Sequence, residues 1–246
     1  MILGENMIPK IIHYCWFGKK AKPQKIQKCI DSWKKNMPDW KFVEWNENNF
    51  DVNSSPYVQQ AYQERKYAFV SDVARIQALY KMGGFYLDTD VSVLKSFESL
   101  CEKKCIVGFE EKEYIATSFF ACEKNHPLIK LFIDEYDGLQ FKDADGKKDF
   151  TTNVTKFTNI LSEMVLVRNG KYQVLDDDIE VYPQEYFSPY DYINCIDQST
   201  DNTYCIHYYY VTWLPWQERC KKLLKRVAGK ILGKEKMNTI RGCLKK

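Results

Sequence analysis

The run Ser71-Asp-Val-Ala-Arg-Ile-Gln-Ala-Leu-Tyr-Lys-Met-Gly-Gly-Phe-Tyr-Leu-Asp-Thr-Asp90 changes its period part-way along. Val73, Ile76, Leu79 and Tyr80 recur at the spacing of one helical face, so Ser71 to Met82 reads as a helix with Ser71 as its N-cap. Gly83-Gly84 stops that helix, and Phe85 to Leu87 follows as a short apolar strand running into Asp88-Thr89-Asp90. A helix delivered into a strand through two glycines is one unit of an α/β sheet.

The chemistry gathers at the end of that strand. In an extended segment residues i and i+2 point the same way, so Asp88 and Asp90 are expected to present two carboxylates to one site. Ligands of open α/β sheets collect outside strand carboxyl ends. Two hard oxygen ligands suit Mg²⁺ or Mn²⁺, and a diphosphate ester is a natural companion whose charge such a cation neutralises. Asp72 and Arg75 stand three residues apart on one side of the preceding helix, off its apolar face. They read either as a surface ion pair or as an arginine that grips a phosphate or sugar hydroxyl while carboxylates hold it.

Working outward, Ile8 to Phe17 reads as a buried first strand, Lys22 to Asn36 as a helix and Trp40 to Trp45 as a second strand. Cys105 to Phe109, Ser118 to Cys122 and Glu180 to Tyr182 read as further strands, and Asn125-His-Pro-Leu opens another helix. The expected architecture is a single α/β domain over residues 1–216, with a mostly parallel, Rossmann-like mixed sheet flanked by helices. The 246 residues, 45% hydrophobic and 28% charged, have the balance of a folded globular chain rather than a disordered one. No run approaches the length of a transmembrane helix, and the opening residues carry no secretory-signal pattern. The nine cysteines are scattered without a CxxC pair, which suits reduced thiols in a cytosol.

Residues 217–246 differ in kind. This segment is strongly basic, while the rest of the chain is net acidic, which argues against a general nucleic-acid binder. Cys220, Leu223, Leu224, Val227, Ala228, Ile231 and Leu232 form one helical stripe, with Lys221, Lys222, Lys225, Arg226 and Lys230 off it. A basic amphipathic helix of this kind suits peripheral contact with an anionic membrane, packing on its own domain, or a partner interface.

The 71–90 run resembles the DxD sugar-binding region of glycosyltransferase family 32, which includes capsule-type bacterial transferases and initiating mannosyltransferases. It is also similar to the glucosylating domain of large clostridial toxins. The opening Ile8-Pro-Lys-Ile-Ile-His-Tyr-Cys-Trp-Phe-Gly18 resembles the first strand of these enzymes, and Phe119 to Pro127 and Tyr182 to Pro189 fit later blocks. The resemblance implies a GT-A-like fold and a retaining, nucleotide-sugar-dependent hexosyltransferase that uses Mn²⁺ or Mg²⁺. It also implies a donor, UDP-linked for preference, and a glycan or lipid-linked acceptor in bacterial cell-surface polysaccharide synthesis at the inner membrane face. Carried residue by residue, it implies that Trp16 stacks on the base and that Ser71, Asp72, Arg75 and Tyr86 lie at the donor. Asp88 meets ribose or sugar hydroxyls, and Asp90 ligates the metal. Cys205-Ile-His-Tyr-Tyr-Tyr-Val-Thr-Trp213 is similar to the family's closing His-x₄-Ser-Trp, so His207 completes the metal site and Trp213 donates to the diphosphate, with Thr212 in place of Ser. Around Thr151-Thr152-Asn153 the chain departs from the family's Thr-Gly-Pro. Two other readings stand beside this one. Asp88-x-Asp90-x-Ser92 also resembles the nucleophile motif of haloacid-dehalogenase-type phosphatases, and the chain could be a catalytically silent nucleotide-sugar-binding subunit.

Overall fold

The computed structural model describes residues 8–210 apart from 144, 147 and 193. The basic segment 217–246, Thr212 and Trp213 lie outside the described residues. Strand β1 (Ile11–Cys15) leads through helix α1 (Gln24–Asn36) to β2 (Lys41–Trp45), then α2 (Pro56–Gln63), α3 (Tyr67–Met82) and β3 (Gly84–Leu87). Short β4 (Val91–Val93), β5 (Cys105–Gly108) and β6 (Phe119–Cys122) follow, then α4 (Pro127–Asp134) and α5 (Asn153–Glu163). The described chain ends with β7 (Gln173–Leu175), β8 (Ile179–Tyr182), α6 (Gln184–Phe187), β9 (Tyr190–Asp191), β10 (Ile196–Asp197) and β11 (Cys205–His207).

Seven strands form one mixed sheet in the order β2-β1-β3-β6-β5-β8-β7. All run one way except β6 and β7, which are antiparallel to their neighbours. This is the expected mixed sheet, mostly parallel in direction and flanked by helices. Its central strands are apolar throughout because both faces are covered. On β3, Phe85 and Leu87 face the α1 side while Tyr86 faces α3, and on β6 Phe119 and Ala121 alternate with Phe120 and Cys122 in the same way. Two cores result, one under α2–α5 and one between the sheet, α1 and the β4–β11 pair. The seven cysteines among the described residues are buried and free.

Two local readings differ from expectation, in β1 and α3, and the start of α4 gains a cap. The first strand is shorter than Ile8 to Phe17. Helix α3 begins four residues before Ser71, because Tyr67-Ala-Phe-Val70 continues the helix; Ser71 is therefore no cap, and its hydroxyl donates to the Tyr67 carbonyl at 3.0 Å. His126 caps α4, its Nδ1 accepting from the Leu128 N–H at 3.2 Å ahead of Pro127 at the first turn.

The join of α3 to β3 decides where the aspartates stand. Gly83 (φ +65°) closes α3 by donating to the Leu79 carbonyl at 2.7 Å, and Gly84 (φ +107°) starts β3 at once. A Cβ on Gly84 would sit 2.7 Å from the Ile11 carbonyl oxygen, so the strand packs this closely only without a side chain. His13 ties β1 to this turn. Its Nε2–H donates to the Gly83 carbonyl at 2.9 Å, and its Nδ1 accepts from Trp45 Nε1 at 3.1 Å.

Gly84→Ala is expected to lower unfolding free energy by about 2–4 kcal/mol through backbone clash and a left-handed φ, measured by urea unfolding. His13 gives a pH dependence. Burial is the main cause that lowers its pKa to about 4, against the opposing bond to Gly83. The unfolded chain titrates near 6.5, so this contribution is intact above that pH and is lost as pH falls through 4. Between pH 7 and 4.5 the loss is about 2–3 kcal/mol, and a His13→Gln chain should lack that part of the slope.

Candidate active site

Asp88 and Asp90 follow β3 in a turn rather than in extended chain, since the Val91 N–H donates back to the Asp88 carbonyl at 3.0 Å. Their convergence therefore comes from that turn and from the anchoring of β4 behind it. Helix α1 holds β4 through Trp33 Nε1 on the Val91 carbonyl (2.7 Å) and Ser32 Oγ on the Val93 N–H (2.9 Å). The other edge of β4 pairs with β11, register His207 to Val91, and this pairing delivers a histidine distant in sequence to the DxD turn.

Asp88, Asp90 and His207 offer ligand atoms that all lie within 4.8 Å of one another. His207 Nε2 stands 3.3 Å from Asp90 Oδ1, and Asp90 Oδ2 accepts from the Tyr210 N–H at 2.6 Å. Burial works against the Asp90 charge, but His207 and the backbone bonds hold its carboxyl below the usual range. Burial likewise works against charging His207, and Asp90 outweighs it, so the imidazole pKa is raised. Two carboxylates and one imidazole, on separate segments around one point, suit Mn²⁺ or Mg²⁺. His207 Nδ1 is buried with no partner among the described residues. The residues present fit a divalent cation.

Beside this group lies a buried ion cluster. Arg75 Nη2 is 3.1 Å from Asp72 Oδ1 and 3.3 Å from Asp88 Oδ1, and both Arg75 and Asp72 are buried. The pair is therefore no surface ion pair. Arg75 also donates through Nη1 to the Thr117 carbonyl (2.6 Å) and through Nε to Ser71 (3.3 Å), and its guanidinium lies 4.5 Å from the Tyr86 ring centroid. Tyr86 donates to Asp88 Oδ1 at 2.9 Å. Burial opposes the Arg75 charge, but Asp88, Tyr86 and Asp72 outweigh it and keep it cationic. Burial pushes Asp72 up to about 7 against the pull of Arg75.

Sequence reasoning missed two supports, Asn153 and Thr117, and one acid, Glu110. Asn153, at the first turn of α5, donates to Asp72 Oδ1 at 2.7 Å and accepts from Thr117 Oγ1 at 2.9 Å. It sits where the chain departs from Thr-Gly-Pro, and only the tertiary contact reveals it. Glu110 follows β5 as Asp88 follows β3, at the same edge of the sheet, and that shared position was a usable signal. Burial pushes its carboxyl up to about 7, with His207 pulling the other way and Asp88 adding to the rise. Trp16 stands at the carboxyl end of β1 on that edge too. Its indole N–H goes to the Lys20 carbonyl at 2.6 Å, and Lys22 Nζ lies 5.7 Å from its ring.

Residues 23–107 match the family described as the glycosyltransferase sugar-binding region containing the DXD motif. The chain is also similar to proteins named mannosyl- and galactosyltransferases. The inositol phosphoceramide mannosyltransferase 3 of Schizosaccharomyces pombe is 29% identical over 129 residues, 50% of this chain and 35% of that one. The human lactosylceramide 4-alpha-galactosyltransferase is 36% identical over 73 residues, 28% of this chain and 20% of that one. The chain thus spans about a third or less of these relatives' own length. Among solved structures, the PaToxG glycosyltransferase aligns with 63% of this chain and 68% of its own at 25% identity and a TM-score of 0.48. The galactosyltransferase LgtC aligns over 95% of both chains at 15% identity and a TM-score of 0.46. Among the described residues no helix is long and apolar enough to cross a membrane.

Asn153→Ala leaves Asp72 buried without its amide donor. It is expected to cost about 1–3 kcal/mol of unfolding free energy. In a denaturant-unfolding double-mutant cycle with Asp72→Asn, the two changes should combine to less than their sum.

Proposed function

We propose that the chain transfers a hexose, with retention of configuration, from a nucleotide diphosphate sugar to a glycan or lipid-linked acceptor, in a reaction that depends on Mn²⁺ or Mg²⁺. One observation carries the reading: Asp88 and Asp90 of the matched stretch converge with His207, from the distant β11, on a single point beside a buried arginine. A divalent cation held by Asp90, His207 and Asp88 supplies charge neutralisation for a departing diphosphate.

The chain's own residues do the rest. Arg75 is already bonded to Thr117 and Ser71 and stands between Asp72 and Asp88. Its main work is therefore to hold those two carboxylates at the donor sugar and to set a fixed positive charge nearby, with little left for a forked grip on phosphate. Asp72 and Asp88 accept from sugar or ribose hydroxyls, with Tyr86 and Asn153 setting their angles. Trp16 offers a ring to the base at the end of β1, and Thr212 and Trp213 are assigned to the diphosphate. In the transfer itself, an acceptor hydroxyl oxygen forms the new bond to the anomeric carbon as the bond to the diphosphate breaks. The hydroxyl proton leaves on the diphosphate, and retention follows from attack on the face the leaving group vacates. No covalent nucleophile is required of the protein.

Further parts of the proposal are a UDP-linked donor, a role in bacterial capsule-type polysaccharide synthesis, and a cytoplasmic site of action. The basic segment 217–246 would make peripheral contact with an anionic inner membrane face. The glycosyltransferases among the relatives favour sugar transfer over phosphoester hydrolysis.

Asp90→Asn keeps the size of the side chain and removes its charge. It is expected to lower metal-dependent turnover of a UDP-hexose, read as UDP release with Mn²⁺ present and absent, by about 10³-fold while the melting temperature stays near that of the parent chain. Undiminished turnover would refute the site assignment.

A further inference from the structure

An aromatic wall runs from the DXD cluster to solvent. Beyond β11 the chain reads Tyr208-Tyr209-Tyr210, and Tyr209 takes φ +50°, a left-handed conformation uncommon for an aromatic residue. Asp90 holds both flanks of this residue: its carbonyl accepts from the Tyr208 N–H at 3.1 Å and its carboxylate from the Tyr210 N–H at 2.6 Å. The turn so held lays the Tyr209 ring on the His207 imidazole, with centroids 3.9 Å apart at 36°. Tyr192, from the link between β9 and β10, packs on Tyr209 at 4.7 Å and 39°. Tyr192 is 36% exposed, and its hydroxyl is tied to Glu111 Oε1 at 2.8 Å. Two rings, Tyr192 and Tyr209, therefore step from solvent to His207.

This ladder belongs to neither main core. Tyr209 packs with the small cluster of Tyr190, Cys195 and Ile206. Backbone strain of this sort persists where the surroundings over-determine it, and here it serves to place one ring against His207. The chemistry of the exposed end is selective. The face of an aromatic ring is electron-rich, and one face of a pyranose is a sheet of weakly positive C–H bonds with hydroxyls round its rim. A ring whose hydroxyl is anchored at its edge keeps its face in place, and Glu111 stands at that edge to accept from rim hydroxyls.

We propose that Tyr192 and Tyr209 form the acceptor subsite, which takes a pyranosyl ring flat against Tyr192 with one hydroxyl directed toward the DXD cluster. The inference rests on the transferase reading and assigns to it the acceptor side. The donor side is built from other elements, α3, β3 and α5, which carry Arg75, Asp72, Tyr86 and Asn153. The pyranosyl ring could belong to a free glycan or to the head of a lipid-linked one, and the recognising chemistry is the same for both.

The test is saturation-transfer NMR on the full chain with UDP and Mn²⁺ present. The probes are methyl and octyl glycosides of glucose, galactose and mannose, and UDP–Mn²⁺ affinity is measured in parallel by calorimetry. At least one glycoside should receive saturation on the C–H protons of one face. Tyr192→Ala should weaken it at least about fivefold, Tyr192→Phe should retain most of the binding, and UDP–Mn²⁺ affinity should stay within about twofold of the parent. Equal binding of the methyl and octyl forms supports the subsite with a free glycan, and tighter octyl binding supports it with a lipid-linked one. The proposal is overturned if no glycoside binds, if Tyr192→Ala leaves binding unchanged, or if that change weakens UDP–Mn²⁺ as much as the glycoside. A parent chain that binds none of UDP, GDP, ADP or dTDP with Mn²⁺ overturns the transferase reading itself, and with it an acceptor role for this wall. That outcome is distinct from loss of the glycoside site alone.

Discussion

A single buried guanidinium organises the site. Removing an arginine from water costs several kcal/mol unless partners surround it, and Arg75 is surrounded. Its contacts come from its own helix at Ser71 and Asp72, from the end of β3 at Asp88, and from the chain before β6 at Thr117. Asn153 closes the circuit by joining Asp72 to Thr117 from a fourth segment. Each of these groups is buried or half-buried, so none can leave without stranding another. This side of the site is consequently set before any ligand arrives, which is the condition under which fixed charges act most strongly on developing charge.

That circuit depends on a short path from α3 to β3. Arg75 sits in the middle of the helix and Asp88 just beyond the strand, and they meet because the chain reverses within two residues at Gly83-Gly84. Had a longer loop joined them, Asp88 would have been carried along the sheet axis away from the guanidinium. His13 buttresses the same turn from β1 with both ring nitrogens engaged. The glycine pair thus acts through geometry on residues it never touches.

The parts legible in the sequence are those written in local pattern. The period of α3, the glycine stop, the apolar β3 and the DxD that follows are contiguous, and so the sheet and the position of the aspartates could be read from residues 71–90. The N-terminal turn of α3 was misread because Tyr67 to Val70 carries no cap residue to mark where helix begins. The burial of Asp72 and Arg75 was not legible either. Polar residues off an apolar stripe ordinarily face water, and only the arrival of Thr117 and Asn153 encloses them. Asn153 depends on contacts between distant segments and leaves no local trace, whereas Glu110 shares with Asp88 the position just past a parallel strand. His207 was reached through resemblance, and the structure supplies its physical cause in the pairing of β11 with β4.

That pairing also explains why the acidic and aromatic parts of the site are inseparable. β4 is only three residues long, and a strand that short gains little from its own ladder. It is kept in place by α1 on one side and β11 on the other. Asp90, immediately before it, then extends the connection past the end of β11 by accepting two further backbone N–H groups, from Tyr208 and Tyr210. The same aspartate that faces His207 therefore fixes the turn that carries Tyr209. A change at Asp90 acts on charge and on the aromatic wall together, whereas a change at Tyr192 reaches only the wall. The two halves of the site are thus separable from the outside and coupled at the centre.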